Sequence, residues 1–526
     1  MNTPPDATGR AQTGKALDTA AAMRLGAIVS LGGFVFGYDV VVISGVSGAV
    51  TAQFGLSDWQ TGWVVATPTL SAMFASLAAG FLSDRFGRRT MLRVVALLYV
   101  VAAIMSALVT GFYALLLARA IGGLALSSLV LAPIYLAEIA PSAIRGRIVA
   151  MNQLAIAFGL SAGYFGNLGL QTLGQSGLGW VSAIRLDVET WRWMLGAALV
   201  PAVAWLVVLF TLTPESPRWL LLKGRAAEAR ATLLRLHVRE RAEAIIARLT
   251  LPTDQTSTAS AAGLLMSPPV RLALGLGLIV ACAQQITGVN AIYFYAPIVF
   301  EQTGVGANAA LFNASLIGVM NVLFTVIAMI LVDRIGRKPL LLTGLAGVTA
   351  STLLVAFAFS RARYQVGPEA VELASAAVQG LDLSSLYGAT FSSDVSFKAA
   401  LADAIGADAV RQHQSELLRI GITVNAGLVL AGILLFVASF AVSLGPVTWI
   451  FLSEIFPNAV RGTALGLVAF FNGLVSFLVQ LLFPIELAQL GVAMTFAIYG
   501  GIAALFFIAI AALLPETRGR HLEASG

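Results

Sequence analysis

Cysteine, histidine and charge are all scarce in this chain, and each scarcity excludes something. Cys282 is the only thiol among 526 residues and lies in an apolar stretch. An intramolecular disulfide is therefore excluded, and the residue reads as a buried, inert thiol. His237, His413 and His521 are scattered over loops, which leaves no compact zinc constellation; no metal and no cofactor are expected. Only 11% of the residues are charged while 58% are hydrophobic. That is too little charge to coat several soluble domains, so most of the surface must face a lipid bilayer. The net charge of +6 includes no basic run interleaved with aromatics, which argues against a nucleic-acid partner. Residues 1–24 hold no apolar core followed by a small-residue cleavage site and read as a cytoplasmic N-terminal tail, not a signal peptide. No nucleophile, base and orienting group form a pattern, and no phosphate-binding glycine loop precedes a helix, so an enzyme is not expected.

What the chain has in abundance is long apolar runs. Stretches of roughly 20 residues or more, enough to span the hydrocarbon of a bilayer, can be read at 25–50, 59–83, 90–110, 112–138, 147–171, 193–213, 271–300, 309–332, 339–360, 420–452, 462–485 and 490–514. The expected fold is an all-α membrane protein of 12 transmembrane helices, six per half. Arginines fix its orientation. Arg85, Arg88, Arg89 and Arg93 follow helix 2, Arg145 and Arg147 helix 4, a basic run from Arg218 to Arg248 helix 6, Arg334, Arg337 and Lys338 helix 8, Arg461 helix 10, and Arg518 and Arg520 helix 12. Every even-to-odd junction is basic, which predicts that these junctions and both termini are cytoplasmic in a multi-pass protein of the cell (inner) membrane.

The chain is also one unit written twice. Ile134-Tyr-Leu-Ala-Glu138-Ile-Ala-Pro141-Ser-Ala-Ile-Arg145-Gly146 returns as Ile450-Phe-Leu-Ser-Glu454-Ile-Phe-Pro457-Asn-Ala-Val-Arg461-Gly462. In the same order, Asp84-Arg-Phe-Gly-Arg-Arg89 pairs with Asp333-Arg-Ile-Gly-Arg-Lys338, and Pro214-Glu-Ser-Pro-Arg218 with Pro515-Glu-Thr-Arg-Gly519. Duplicated halves in a membrane chain point to a transporter that rocks about a site between them. The expected organisation is an N-terminal half over 25–213, a cytoplasmic helical linker over 214–268, a C-terminal half over 269–514 and a cytoplasmic tail over 515–526.

Spacing within the repeats exposes an insertion. Asp84 and Glu138 are 54 positions apart and Asp333 and Glu454 121, so about 67 extra residues fall between helices 9 and 10, where the first half has only Gly111 and Phe112. The surplus, 361–419, is expected on the outer side, as a small helical cap or a loose excursion, with amphipathic stretches around Pro368 to Val378 and Phe397 to Leu418. In the linker, Arg225 to Leu249 reads as two helices, with Pro252 and the polar residues after it closing them.

Polar side chains inside the apolar helices are the candidate site. Gln153 in helix 5, Gln284, Gln285 and Asn290 in helix 7, Asn321 in helix 8 and Asn472 in helix 11 are amides, which donate and accept without charge and so suit a neutral polyol. Left unpaired in an apolar helix, each would cost roughly 1 to 3 kcal/mol. Gln284, Gln285 and Asn290 do not share a stripe of an ideal helix; a break near Gly288 would let them converge. Amides that merely bridge helices are the rival reading, preferred for Asn313 and Gln480. Asp39 and Arg119 are charges inside apolar helices, where ionised side chains are assigned about 2.5 to 3.5 kcal/mol, so they should find each other or water.

Together with the duplicated motifs, Phe36-Gly-Tyr-Asp39-Val-Val-Val-Ile-Ser-Gly45, Gly80-Phe-Leu-Ser-Asp84, Gln284-Gln285-Ile-Thr-Gly-Val-Asn290 and Gly445-Pro446-Val-Thr-Trp449 make the chain resemble, over nearly its whole length, the sugar porters of the major facilitator superfamily, and bacterial sugar–proton symporters among them. The resemblance implies secondary active import of a monosaccharide with protons by alternating access, in a chain that works as a monomer. It places Gln153, Gln284, Gln285, Asn290, Asn321 and Asn472 at the sugar and stacks Trp449 on its ring, with Phe36 lining the same cavity. Packing alone is the competing role for both aromatics. It makes Asp39 and Arg119 the proton-coupling pair; a static salt bridge is the alternative, and facilitative family members carry Asn where this chain has Asp39. Asp84, Arg88, Glu138 and Arg145, with their partners Asp333, Arg337, Glu454 and Arg461, resemble the family's cytoplasmic gating network, against the plainer role of flanking charges that fix topology.

Three departures blur the substrate. Where proton-coupled members carry Gln and Trp, this chain has Leu160 and Gly473, and Phe294-Tyr295 stands for a pair of tyrosines. Hexose, pentose and polyol stay open, with a hexose preferred because the cavity is widened. A uniporter and a non-transporting sensor are the alternatives; Asp39 argues against the first and the short stretch after Arg518 against the second.

Overall fold

Inside hydrocarbon no water reaches the peptide groups, so an apolar chain of this length has to satisfy its N–H and C=O groups within helices. The computed structural model describes residues 7–140, 144–236, 243, 246, 267–367, 383–412, 414–457 and 460–517, without the side chains of 7–21, 145, 235–236, 333, 408, 411–412, 414–416 and 420. Outside that description lie His237, His413 and His521, the side chains of Arg145 and Asp333, most of the linker after 236, the expected helix from Pro368 to Val378, and the tail after Thr517.

Among the described residues, eleven apolar helical stretches are long enough to cross a bilayer: Ala22–Phe54, Asp58–Phe86, Arg88–Ala107, Phe112–Ile139, Gly146–Gly174, Thr190–Thr211, Pro268–Glu301, Ala307–Val332, Arg337–Ser360, Ala426–Ile455 and Arg461–Leu513. The last is two spans meeting at Gly491, whose φ of 76° interrupts the helix. That gives the twelve spans expected, numbered 1 to 12 below. Span 1 continues backward without a break to Ala7, so the stretch read as a tail is helical from there on. Span 7 breaks where its sequence predicts: helix runs to Ile286, Gly288 takes a left-handed φ of 93°, and a new helix starts at Val289.

The duplication is repeated in three dimensions. Spans 2 and 3 meet at Gly87 (φ 102°, ψ 150°), and spans 8 and 9 at Gly336 (φ 106°, ψ 163°), a backbone region that is essentially closed to side chains with a Cβ. In each case the space a Cβ would take is held by a carboxylate, that of Glu215 at Gly87 and that of Glu516 at Gly336. The first and second sets of six spans meet along spans 2 and 11 and along spans 5 and 8. Gly62 lies against the backbone of Leu481, Gly318 against Ser161, and the rings of Trp63 and Phe477 sit 5.6 Å apart.

The described residues of the insertion after span 9, 361–367, 383–412 and 414–419, belong to a folded cap. Strands β1 (Arg363–Gln365), β2 (Thr390–Phe391) and β3 (Ile422–Thr423) form an antiparallel sheet with β1 in the middle, pairing Tyr364 with both Phe391 and Ile422. Helices Asp394–Ile405, Ala407–Gln412 and Gln414–Gly421 cover the stretch predicted to be helical. Tyr364, Phe397, Leu401, Leu417 and Leu418 bury a core of their own, so the cap is packed and not a loose excursion. Ile422 rests on Gly304 at the end of span 7, and Asp394 rests on Gly491. Lys398 pairs with Asp394 at 3.4 Å. Burial pushes the Lys398 ammonium below its usual range, while Asp394 and Asp58, at the head of span 2, hold it up.

Because both glycines sit where only glycine is unstrained, Gly87→Ala and Gly336→Ala should each cost on the order of 1 to 3 kcal/mol, read as a lowered Tm in detergent. Gly146, with open space around it, serves as the control, and Gly146→Ala should leave the Tm in place. Equal melting of all three variants and wild type would contradict this account of the junctions.

Candidate functional site

Five amides and a serine interlock around the break in span 7. With the helix turned at Gly288, Asn290 donates from Nδ2 to Gln285 Oε1 at 2.7 Å and to Ser476 Oγ of span 11 at 2.6 Å. Gln285 donates to Asn472 Oδ1 at 3.1 Å, and Asn472 donates to Gln284 Oε1 at 3.0 Å and to the carbonyl of Ala281 at 2.8 Å. Gln284 in turn donates to the carbonyls of Leu444 and Gly445 in span 10, at 2.9 and 3.2 Å. Gln480 closes the line by donating to Ser476 at 2.9 Å, while Thr69 of span 2 donates to Gln480 Oε1 at 2.9 Å. Gln284, Asn472 and Gln480 are buried, whereas Gln285 and Asn290 keep partial exposure. Such a line has both donors and acceptors that a hydroxylated ligand could take over one for one.

Not every candidate belongs to this line. Asn321 stands on span 8 and accepts from the Tyr293 hydroxyl at 3.0 Å. Gln153 is exposed, Trp449 is 43% exposed, and Phe36 is half-buried against the core of the first six spans. A ring of that size left open within an apolar span is available for stacking. A cavity of about 580 Å³ between spans 1 and 5 is lined by apolar side chains such as Phe34, Met151 and Phe158 and by none of these amides. Size alone does not make it a polyol site.

Asp39 and Arg119 find each other, as two charges in apolar spans should. Oδ2 of Asp39 lies 3.7 Å from Nη1 of Arg119, with Asp39 only 8% and Arg119 3% exposed. The contact is loose. Asp39 Oδ2 and Arg119 Nε have no hydrogen-bond partner among the described residues, whereas charge-assisted bonds close to about 2.7 to 2.9 Å when geometry allows.

The duplicated motifs assemble into two matching clips, one per set of six spans. Arg88 pairs with Asp84 at 2.7 Å and Glu138 at 3.1 Å, and Ser216 donates to Glu138 at 2.5 Å. Arg337 pairs with Glu454 at 2.7 Å, and Thr517 donates to Glu454 at 2.6 Å. Glu215 accepts from the Arg89 backbone N–H, and Glu516 from those of Arg337 and Lys338. Arg461 donates to the carbonyl of Phe456. These pairs join spans within one set; among the described residues, the hydrogen bonds from Thr69 to Gln480, Tyr164 to the Tyr293 carbonyl and Asn308 to Gln175 cross between sets toward the capped end.

Gln480 bridges spans 2 and 11, the role expected for it, but other residues of the site were passed over in the sequence. Ser476 stands between Asn472 and Gln480, four positions from each on one stripe of span 11, a signal that was there to use. Glu215, Ser216, Glu516 and Thr517 sat inside recognised motifs, but nothing local tells that the two glutamates fold back on Gly87 and Gly336 and the two hydroxyls on Glu138 and Glu454.

A family described as "Sugar (and other) transporter" matches residues 25–376 and 397–525. The chain is 34% identical to the arabinose-proton symporter of Bacillus subtilis (strain 168), over 94% of this chain and 92% of that one. It is 31% identical to the glucose transporter GlcP of Staphylococcus epidermidis (strain ATCC 12228 / FDA PCI 1200), over 94% of both. Its fold is similar to the inward open conformation of the xylose transporter XylE from E. coli, with a TM-score of 0.71 and 26% identity, covering 95% of this chain and 98% of that one. Twelve apolar spans, the duplicated motifs and a match across nearly the full length have one reading: the chain is a multi-pass membrane protein and belongs to the sugar transporter family of the major facilitator superfamily.

Proposed function

We propose that this protein imports a monosaccharide together with protons by alternating access. The observation that carries the reading is the pair of Asp39 and Arg119, buried in apolar spans yet held at 3.7 Å without a tight hydrogen bond. A pair kept only to lock helices would be expected to close. A loose one can be opened by a proton on the carboxylate, which frees Arg119 and biases one arrangement of the spans over another. Two relatives support the cargo by name, an arabinose-proton symporter and a glucose transporter.

In this reading the amides of spans 7 and 11 bind the sugar, joined by Gln153, Asn321, Trp449 and Phe36 from facing spans. The widening expected at Leu160 and Gly473 is not there: Leu160 is buried in the core and the side chain of Met73 from span 2 fills the space beside Gly473, so neither departure decides between a hexose and a pentose. The two halves, 25–213 and 269–514, rock as units. The clips around Glu138 and Glu454 keep the ends of each half rigid, and closing the charged face brings these two ends together. The hydrogen bonds that cross between halves toward the cap match a carrier closed on that side. Basic junctions put the clips and both termini in the cytoplasm and the cap outside, in the cell (inner) membrane, with one copy of the chain sufficient.

Three measurements test this. A cysteine at Ser385, exposed on the cap, should react with an impermeant maleimide in intact cells, and one at Ala227, exposed in the linker, should not; the reverse order would invert the orientation. Gln285→Ala and Asn290→Ala should each weaken sugar binding by roughly 1 to 3 kcal/mol, tenfold or more in affinity, because sugar hydroxyls lose a partner in a desolvated cavity. Unchanged affinity in both, on folded protein, would return the amides to helix bridging. Asp39→Asn keeps shape but cannot carry a proton, so in liposomes it should still exchange labelled for unlabelled sugar while proton-driven accumulation vanishes. Accumulation like that of wild type would exclude Asp39 as the coupling group, and a wild type indifferent to pH would exclude symport.

A further inference from the structure

Glu486 is an intramembrane acid that nothing above uses. It lies near the capped end of span 11, two residues after Pro484, and is half-buried. An acid in an apolar span is costly to keep, which makes it a candidate for function. Its carboxylate accepts a hydrogen bond from the Tyr499 hydroxyl of span 12 at 2.9 Å. The ring of Tyr499, buried, faces the backbone at Gly288, where an added Cβ would stand 3.2 Å from Cδ1 and 3.3 Å from Cγ. Phe483 lies 6.3 Å from the same ring and 5.1 Å from Tyr295. Spans 7, 11 and 12 therefore meet in one aromatic wedge at the break in span 7.

That break is what makes the amide site. Gln285 and Asn290 are five positions apart and touch only because Gly288 turns the chain between them. A left-handed glycine joining two helical segments has no side chain of its own to hold the angle. The Tyr499 ring fills that role from outside, and a buried phenol keeps its place when its hydroxyl is satisfied. Glu486 supplies the acceptor.

We propose that Glu486 and Tyr499 are positioning residues for the sugar site: through the Gly288 break they set the angle at which Gln285 and Asn290 meet their ligand. The proposal rests on reading those amides as the sugar site. Among the described residues neither makes a hydrogen bond to the amides, and their effect should fall on affinity and not on the rocking step.

The test uses the full-length protein in liposomes, with radiolabelled D-glucose, D-xylose and L-arabinose, taking whichever the wild type transports. Glu486→Leu and Tyr499→Phe should raise KM by roughly three- to tenfold, the scale of one lost hydrogen bond, with Vmax within about twofold. Glu486→Gln, which keeps an acceptor, should restore KM to within about twofold of wild type. Adding Glu486→Leu to Gln285→Ala should raise KM little further, because both act on one contact. Unchanged KM in both Glu486→Leu and Tyr499→Phe would overturn the proposal, as would full additivity with Gln285→Ala. A Vmax lost in Glu486→Gln would overturn it too, since the acid itself would then be required. Tyr499→Phe keeps the packing and so remains informative if Glu486→Leu fails to fold. If Gln285→Ala leaves KM unchanged, the sugar-site reading has failed; if it raises KM while Glu486→Leu and Tyr499→Phe do not, only the positioning role has.

Discussion

In a span surrounded by hydrocarbon, a polar group has nowhere to turn but to another polar group of the same protein, and the site follows from that constraint. Asn290 turns to Gln285 and Ser476, Gln285 to Asn472, Asn472 to Gln284, and Gln284 to the carbonyls of span 10. No member of the line carries a charge, so the bonds among them are each of modest strength and can be exchanged for bonds to a ligand at little net cost. An ionic site would grip more tightly and release less readily. Neutral amides are matched to a cargo that must leave on the other side.

The same constraint explains how far the sequence could be read. Twelve spans were legible because lipid allows only long apolar helices, and the turn at Gly288 because amides five apart cannot meet on an unbroken one. The pairing of Asp39 with Arg119 was legible because two buried charges have few other choices. The cap was not, beyond its helices: strands of two and three residues are too short to show alternation, and their partners lie tens of positions away. The clips were half legible. Their arginines and glutamates stand in repeated motifs, but that Glu215 and Glu516 settle over Gly87 and Gly336 depends on chain returning from more than a hundred positions further on. Fold-back of that kind leaves no local pattern.

Span 1 shows a different limit. A polar stretch before an apolar run reads as a tail, yet the helix runs from Ala7 to Phe54 with nothing to stop it. Composition marks where a helix enters lipid and not where it begins: no proline stands between Ala7 and Phe54, and the hydrogen-bond ladder propagates through Gly9 and Gly14.

The placement of the two proposed sites bears on how coupling would work. Asp39 and Arg119 stand on spans 1 and 4, while Gln284, Gln285, Asn290 and Asn472 stand on spans 7 and 11. In the proposed reading the proton acts on the first half and the sugar chiefly on the amides of the second, and no described hydrogen bond or ion pair joins Asp39 and Arg119 to those amides. They share the surface where the halves meet, at Thr69 with Gln480, at Tyr164 with Tyr293 and along the packing of span 1 on span 7. Gln480 shares Ser476 with Asn290, so a ligand that draws Asn290 away changes what Ser476 offers to Gln480, and through it the hold on Thr69 of the other half. A proton that loosens Arg119 works on the same boundary from the opposite side. Coupling of this kind needs no wire between the sites, only one two-state interface that each of them biases.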